Sequence, residues 1–173
     1  MNLLPDFKKI LYCTGIGPNS AYIYRHAVAL AEKFDGAITV LHVMETLTSD
    51  QEGLVDGYIG PGTIHDVVEH EEQDAVARIK KHLKSFCSRF AEEKGASCNV
   101  AEIIVTEGAP AETIVKQSVA MGADVIVIGA HAQSSILHAL LGSTAEKVIR
   151  KSSIPVFVVQ VPVGMQELTA VGI

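Results

Sequence analysis

Five short apolar runs punctuate the chain, each separated from the next by a stretch long enough to hold a helix. They are residues 9–13 (KILYC), 37–43 (AITVLHV), 98–107 (CNVAEIIVTE), 125–128 (VIVI) and 156–159 (VFVV). The runs are apolar rather than alternating, which is the pattern of strands covered on both faces. The segments between them repeat apolar residues at helical spacing; Ile23, Ala27, Leu30 and Ala31 share one face. The order βαβαβαβαβ predicts an α/β fold, a five-stranded parallel sheet with helices on both faces in a three-layer αβα sandwich. Right-handed crossovers leave few topologies for it.

Local signals set the boundaries. Asn19 or Ser20 caps a helix to about Phe34, and Asp35-Gly36 ends it, with glycine expected to supply the left-handed capping conformation. Thr63, paired with Asp66, caps a long charged helix to about Lys94, stopped by Gly95. Its buried stripe is read as Ile64, Val67, Val68, Ala75, Ile79, Leu83, Phe86 and Phe90. Pro110 opens a helix to Met121, with Gly122 as its stop. Residues 44–62, holding Gly53, Gly57, Gly60, Pro61 and Gly62, resist assignment and are expected to form an excursion at the mouth of a site. Residues 1–173 are expected to form a single domain, with a core over about 8–160 and a tail, 161–173, that frays.

Composition removes several function classes. A net charge of −6 without a basic stripe argues against nucleic-acid binding, and the densest cationic run, Arg78 to His82, reads as a solvated helix face. No apolar run approaches the ~20 residues of a membrane helix, and the first nine residues do not resemble a signal peptide. A cytoplasmic protein is expected. Cys13, Cys87 and Cys98 are an odd number without CxxC spacing, so neither a disulfide framework nor a thiolate zinc site is expected.

The most informative stretch runs from Asp124 to Val159. A strand stops at Gly129, Gly142-Ser143-Thr144 starts an amphipathic helix about a dozen residues later, and Ile154-Pro155 leads into the last strand. Glycine permits close backbone approach to an anion, and a helix N-terminus offers unpaired N–H groups and a favourable dipole. The spacing Gly129-x-x-Ala132-x9-Gly142-Ser143, with the following EKVIRKSSIPVFVV, resembles the G-x2-G-x9-G-[S/T] motif and C-terminal end of the universal stress protein family. The likeness runs from about Lys9 to Gln160.

That resemblance implies an adenine nucleotide alpha hydrolase-like, flavodoxin-like fold with strand order 3-2-1-4-5, whose switch point lies between the first and fourth strands. It also implies a regulatory protein rather than an enzyme, binding ATP or AMP (with Mg) and hydrolysing at most slowly. The implied nucleotide site is Thr14, Gly15, Val43, Gly129, His131, Ala132, Gly142, Ser143 and Thr144, with no catalytic residue and no metal site. Two positions depart from the family pattern: Ala132 replaces the motif's second glycine, and Gly15 stands where ATP-binding relatives carry an acid. The alternative is a dimeric interaction module that binds no nucleotide. The resemblance further implies a homodimer through the strand Val156–Val159, apolar and at the sheet edge. A charge at Val158 is then expected to give a monomer.

Other chemistries fit less well. Gly15-Ile16-Gly17-Pro18-Asn19-Ser20 resembles a dinucleotide fingerprint, but Ser20 occupies the third small position and Pro18 removes one N–H. No Walker sequence and no G-x-S-x-G elbow occur. His65 and His70, five apart, do not share a helix face. Cys13 is expected to be buried rather than reactive, His138 to be exposed, and the run Glu69, Glu71, Glu72 and Asp74 to be a solvated face.

Overall fold

The computed structural model describes residues 4–15, 17, 19–46, 63–94, 98–130 and 141–162. The elements run β1 (Lys9–Cys13), α1 (Ser20–Phe34), β2 (Ala37–Glu45), α2 (Thr63–Lys94), β3 (Val100–Gly108), α3 (Pro110–Ala120), β4 (Val125–Ala130), α4 (Ser143–Lys151) and β5 (Val156–Gln160). All four strand pairings are parallel, in the order β3-β2-β1-β4-β5. The expected fold and strand order are therefore the observed ones. The unassigned stretch contributes Met44 and Glu45 to β2, while residues 47–62 and 163–173 lie outside the described residues.

The inner strands β1, β2 and β4 are apolar on both faces because helices cover both, whereas the outer strands β3 and β5 are only partly buried. Side chains alternate along a strand, so Ile10 and Tyr12 of β1 face one layer and Leu11 and Cys13 the other. The first layer packs Tyr24, Ala27, Val28 and Ala31 of α1 and Ile79 of α2 on Ile38, Val40, Val125 and Val127. The second packs Ala111 and Ile114 of α3 and Ala145 and Val148 of α4 on Leu41, Ile126 and Ile128. At 25 cal/mol per Å2 such side chains stabilise the fold by about 1.5–3 kcal/mol each when fully buried. Lys151 of α4 donates to Glu112 of α3, and the ammonium holds that exposed carboxyl below its usual range.

The strand ends are pinned by polar groups. The Lys9 amide donates to Asp124 Oδ2 at 2.7 Å, and the Asp124 amide donates back to the Lys9 carbonyl at 2.8 Å. The Asn99 side-chain amide donates to the Gly36 carbonyl at 3.0 Å, fixing the entry to β3 against the start of β2.

Two local expectations are corrected. The left-handed residue ending α1 is Asp35 (φ 50°, ψ 45°), not Gly36. Asp tolerates that conformation better than most residues. Gly36 is required by space, because a Cβ there would lie 2.6 Å from the Phe7 carbonyl oxygen and 2.9 Å from that of Lys8. Second, Cys87 of α2 and Cys98 are joined by a disulfide, with Cα atoms 5.5 Å apart. The spacing argument missed it because the long helix returns its second half to the start of β3, a tertiary proximity that sequence separation does not encode. On β5, Val158 is half-buried against the second layer, whereas Phe157 is 41% exposed beside His26.

Gly36→Ala should destabilise the protein by about 1–3 kcal/mol, since backbone carbonyls cannot move aside as a side chain can. The check is the urea midpoint, which should fall with an unchanged m-value.

Candidate functional site

The carboxyl ends of β1, β2 and β4 converge at the place where the strand order reverses. The Thr14 amide extends the β1–β2 ladder by donating to Leu41 O at 2.9 Å, so Thr14 and Gly15 emerge beside the end of β2. Next to them His42 Nδ1 lies 2.8 Å from the Thr14 carbonyl oxygen. A carbonyl can only accept, so Nδ1 carries the proton and donates. Across the sheet, Cys13 pairs with Ile128, which carries Gly129 and Ala130 past the end of β1. A Cβ on Gly129 would meet the tip of the Ile23 side chain of α1, which would have to turn aside.

Helix α4 completes the wall. Its N-cap is Gly142, at φ 76° and ψ 143°, a backbone conformation costly to a residue with a Cβ. No side chain caps this end. The first-turn N–H groups of α4 have no intrahelical acceptors and, with the helix dipole, present positive potential to whatever lies in front. Ser143 sits inside the first turn, exposed, and makes no cap bond.

These ends enclose a crevice of about 640 Å3. Thr14, Gly15, Val43, Gly129, Gly142, Ser143 and Thr144, picked out separately in the sequence, all line it. His131, Ala132 and His138 lie outside the described residues. Sequence reading missed other lining residues: Pro110 and Ile114 of α3, Leu141, and the β2 residues His42, Met44 and Glu45. A signal for the last three was available, because His42 precedes Val43 on the expected strand and a strand continued past Val43 delivers Met44 and Glu45 to the same edge.

A second cavity of about 810 Å3 adjoins the first and shares His42, Met44 and Glu45 with it. Its far wall is α2, with Asp74, Ala75, Ala77, Arg78 and Lys81. The cationic run read as a solvated face is indeed exposed at Arg78 and Lys81, but those side chains also border this hollow.

The positive potential of the crevice comes from the backbone at the start of α4, while Glu45 adds a carboxylate to its lining. Among the described residues lining it there is no Lys or Arg. Glu146, in the first turn of α4, lies 3.6 Å from Arg150 across one turn. The Cys13 thiol is buried, and desolvation pushes its pKa up. Tyr12 is likewise raised by burial, and its neutral hydroxyl donates to the Ser20 carbonyl at 2.8 Å, tying β1 to the start of α1. Asn19, the N-cap of α1, makes no side-chain cap bond, and its Oδ1 is buried without a hydrogen-bond partner among the described residues. No group of three or more His, Cys, Asp or Glu among the described residues could hold a metal ion.

Comparison with known proteins adds a consistent set of relatives. A model described as the universal stress protein family matches residues 6–160. Universal stress protein MJ0577 of Methanocaldococcus jannaschii is 29% identical over 155 residues, covering 89% of this chain and 95% of its own. Universal stress protein YxiE of Bacillus subtilis is 30% identical over 157 residues, covering 89% and 99%. Among solved structures, that of MJ0577 superposes with a TM-score of 0.64 at 28% identity, over 90% of this chain and 97% of that one. A universal stress protein in complex with cAMP gives a TM-score of 0.53 at 17% identity, covering 90% and 98%, a likeness of fold alone.

Cys13 borders the crevice, yet its raised pKa keeps it a neutral thiol. Iodoacetamide at pH 8 should label it at least about tenfold more slowly in the native protein than after denaturation, as peptide mass mapping would show.

Proposed function

We propose, for a chain that belongs to the universal stress protein family, a regulatory role in the stress response exercised by binding an adenine nucleotide, ATP or AMP, in the 640 Å3 crevice. One observation carries this reading: residues from the ends of three strands and from the start of α4 line one hollow at the sheet's switch point, where ligands of open α/β folds bind. The phosphates face the first turn of α4, held by its N–H groups and by the hydroxyls of Ser143 and Thr144. His131 and Ala132 belong to the same proposed site. Thr14, Gly15 and Val43 border the remainder of the nucleotide. With no Lys or Arg among the described lining residues, Mg accompanies a polyphosphate to offset its charge.

The protein acts as a binding protein rather than an enzyme. Rapid phosphoryl transfer needs cationic groups aimed at the developing charge and a base at the attacking oxygen. Of the described lining residues, His42 commits Nδ1 to the Thr14 carbonyl, Cys13 is a neutral thiol, and Glu45 alone supplies a carboxylate, with no Lys or Arg beside it to stabilise developing charge. The protein works as a single domain in the cytoplasm, as a homodimer paired through β5. That strand ends the sheet with one row of backbone groups unpaired by any described strand, and Phe157 stands exposed on it.

Thermal melting with Mg-ATP, AMP and cAMP tests the site. Saturation at ~100 times Kd contributes about 2.7 kcal/mol, a rise in Tm of about 5–10 °C for a domain of this size. The double variant Ser143→Ala/Thr144→Ala should weaken binding by about fivefold or more per hydroxyl, read by calorimetric titration. No shift with any of the three nucleotides overturns the reading in favour of a dimeric module without nucleotide, a reading that Gly15 favours.

The interface has its own test. Phe157→Glu should halve the mass seen by light scattering while leaving the circular dichroism spectrum intact. An unchanged dimer mass would refute pairing through β5.

A further inference from the structure

We propose that Cys87 and Cys98 form a redox modification site, a reversible disulfide that clamps the second half of α2 to the edge of the sheet. Three observations on different parts of the molecule support it.

The first is geometry. The two cysteines are 11 residues apart in sequence, on separate elements, with Cα atoms 5.5 Å apart, within the range a disulfide spans without moving the backbone. Both residues are half-buried, so a small disulfide can reach them, whereas Cys13 is buried at the crevice wall with 8% of its surface exposed.

The second is the way α2 is held. The helix is 32 residues long, and among its described side chains Ala75 and Ile79 are the buried ones. Leu83 and Cys87 continue the same line, half-buried against the first layer together with Cys98, Val100 and Ile103. Ala75, Ile79, Leu83 and Cys87 are spaced four apart, a single narrow stripe. Cys87 is the described member of that stripe nearest the helix C-terminus, and a covalent bond there adds to a shallow apolar contact. Its partner Cys98 leads directly into β3, an outer strand whose one described neighbour is β2.

The third is what α2 carries. Its earlier turns place Asp74, Arg78 and Lys81 on the 810 Å3 cavity that shares His42 and Glu45 with the crevice. Locking or releasing the helix is therefore felt at the wall of that cavity.

The chemistry is thiol–disulfide exchange. The thiolate of one cysteine attacks a low-molecular-weight disulfide, forming a mixed disulfide and expelling one thiolate. The second cysteine then attacks the protein sulfur of that mixed disulfide, forming the Cys87–Cys98 bond and expelling the second thiolate. Two protein thiols are oxidised, one small disulfide is reduced to two thiols, and the two protons pass to the released thiolates. A dithiol or monothiol reductant runs the same steps backward. In a reducing compartment such a bond is transient and reports the thiol balance. In the oxidised state the Tyr24 hydroxyl, 3.9 Å from Cys87 Sγ, can only donate to it.

The test uses the full chain in two redox states. Reduced protein is treated with oxidised glutathione, denatured in acid, alkylated with N-ethylmaleimide and mapped by mass. The expected result is a Cys87–Cys98 crosslinked peptide with Cys13 alkylated, reversed by dithiothreitol. The oxidised form should melt about 5–10 °C above the reduced form. It should also show slower amide exchange in the second half of α2. Cys98→Ser, run alongside, should retain glutathione on Cys87 and lose the redox-dependent melting difference. Three alkylatable thiols after oxidation, a lasting glutathione adduct on the native sequence, a crosslink between two chains, or equal melting of the two redox states would each overturn the proposal. Since the wild-type comparison needs no substitution, a variant that fails to fold leaves it decisive.

Discussion

The parallel pairing of β1 with β4 is the constraint on which the rest of the molecule depends. Lys9 and Asp124, more than a hundred positions apart, exchange two hydrogen bonds at its base, and Cys13 and Ile128 lie side by side at its top. Closing so long a loop costs little more entropy than closing a shorter one, because the cost grows only with the logarithm of length. Once those strands pair, the chain must leave β1 toward β2 and leave β4 toward β5, in opposite directions across the sheet. The connections that follow them diverge, and the space between them is the crevice. The site is a product of topology before any side chain is chosen.

What fills that space electrostatically is backbone. The start of α4, uncapped by side chains and opened by Gly142 with its positive φ, is the positive feature of the described crevice. Gly15 has a different status. A Cβ built there meets nothing within 4 Å, so neither crowding nor a positive φ demands glycine. The wall is open at that position, and the described lining residues include the carboxylate of Glu45 but no Lys or Arg.

Much of this was legible in the sequence, for identifiable reasons. Thr63 and Lys94 bound α2 as the capping and glycine signals indicated, and the apolar runs became strands because burial on both faces leaves little room for polar residues. Gly129 and Gly142 could be placed at a strand end and a helix start because those are local events, whereas Thr14 and Val43 were named through the family resemblance. Asp35 and Gly36 show the limit. Two adjacent residues were read with the right stop and the wrong division of labour, because the demand on Gly36 comes from Phe7 and Lys8, far away in sequence.

The amino-acid sequence by itself determined the period and order of the elements, and hence the class of fold, because hydrophobic spacing and turn residues act within a few positions. Tertiary structure alone decided which distant groups meet. It set His42 against the Thr14 carbonyl, brought Arg78 and Lys81 to a cavity beside the crevice, turned Val158 inward and Phe157 outward, and joined Cys87 to Cys98. These contacts depend on sheet register, helix rotation and packing of the two layers, quantities fixed only when the whole chain is folded at once.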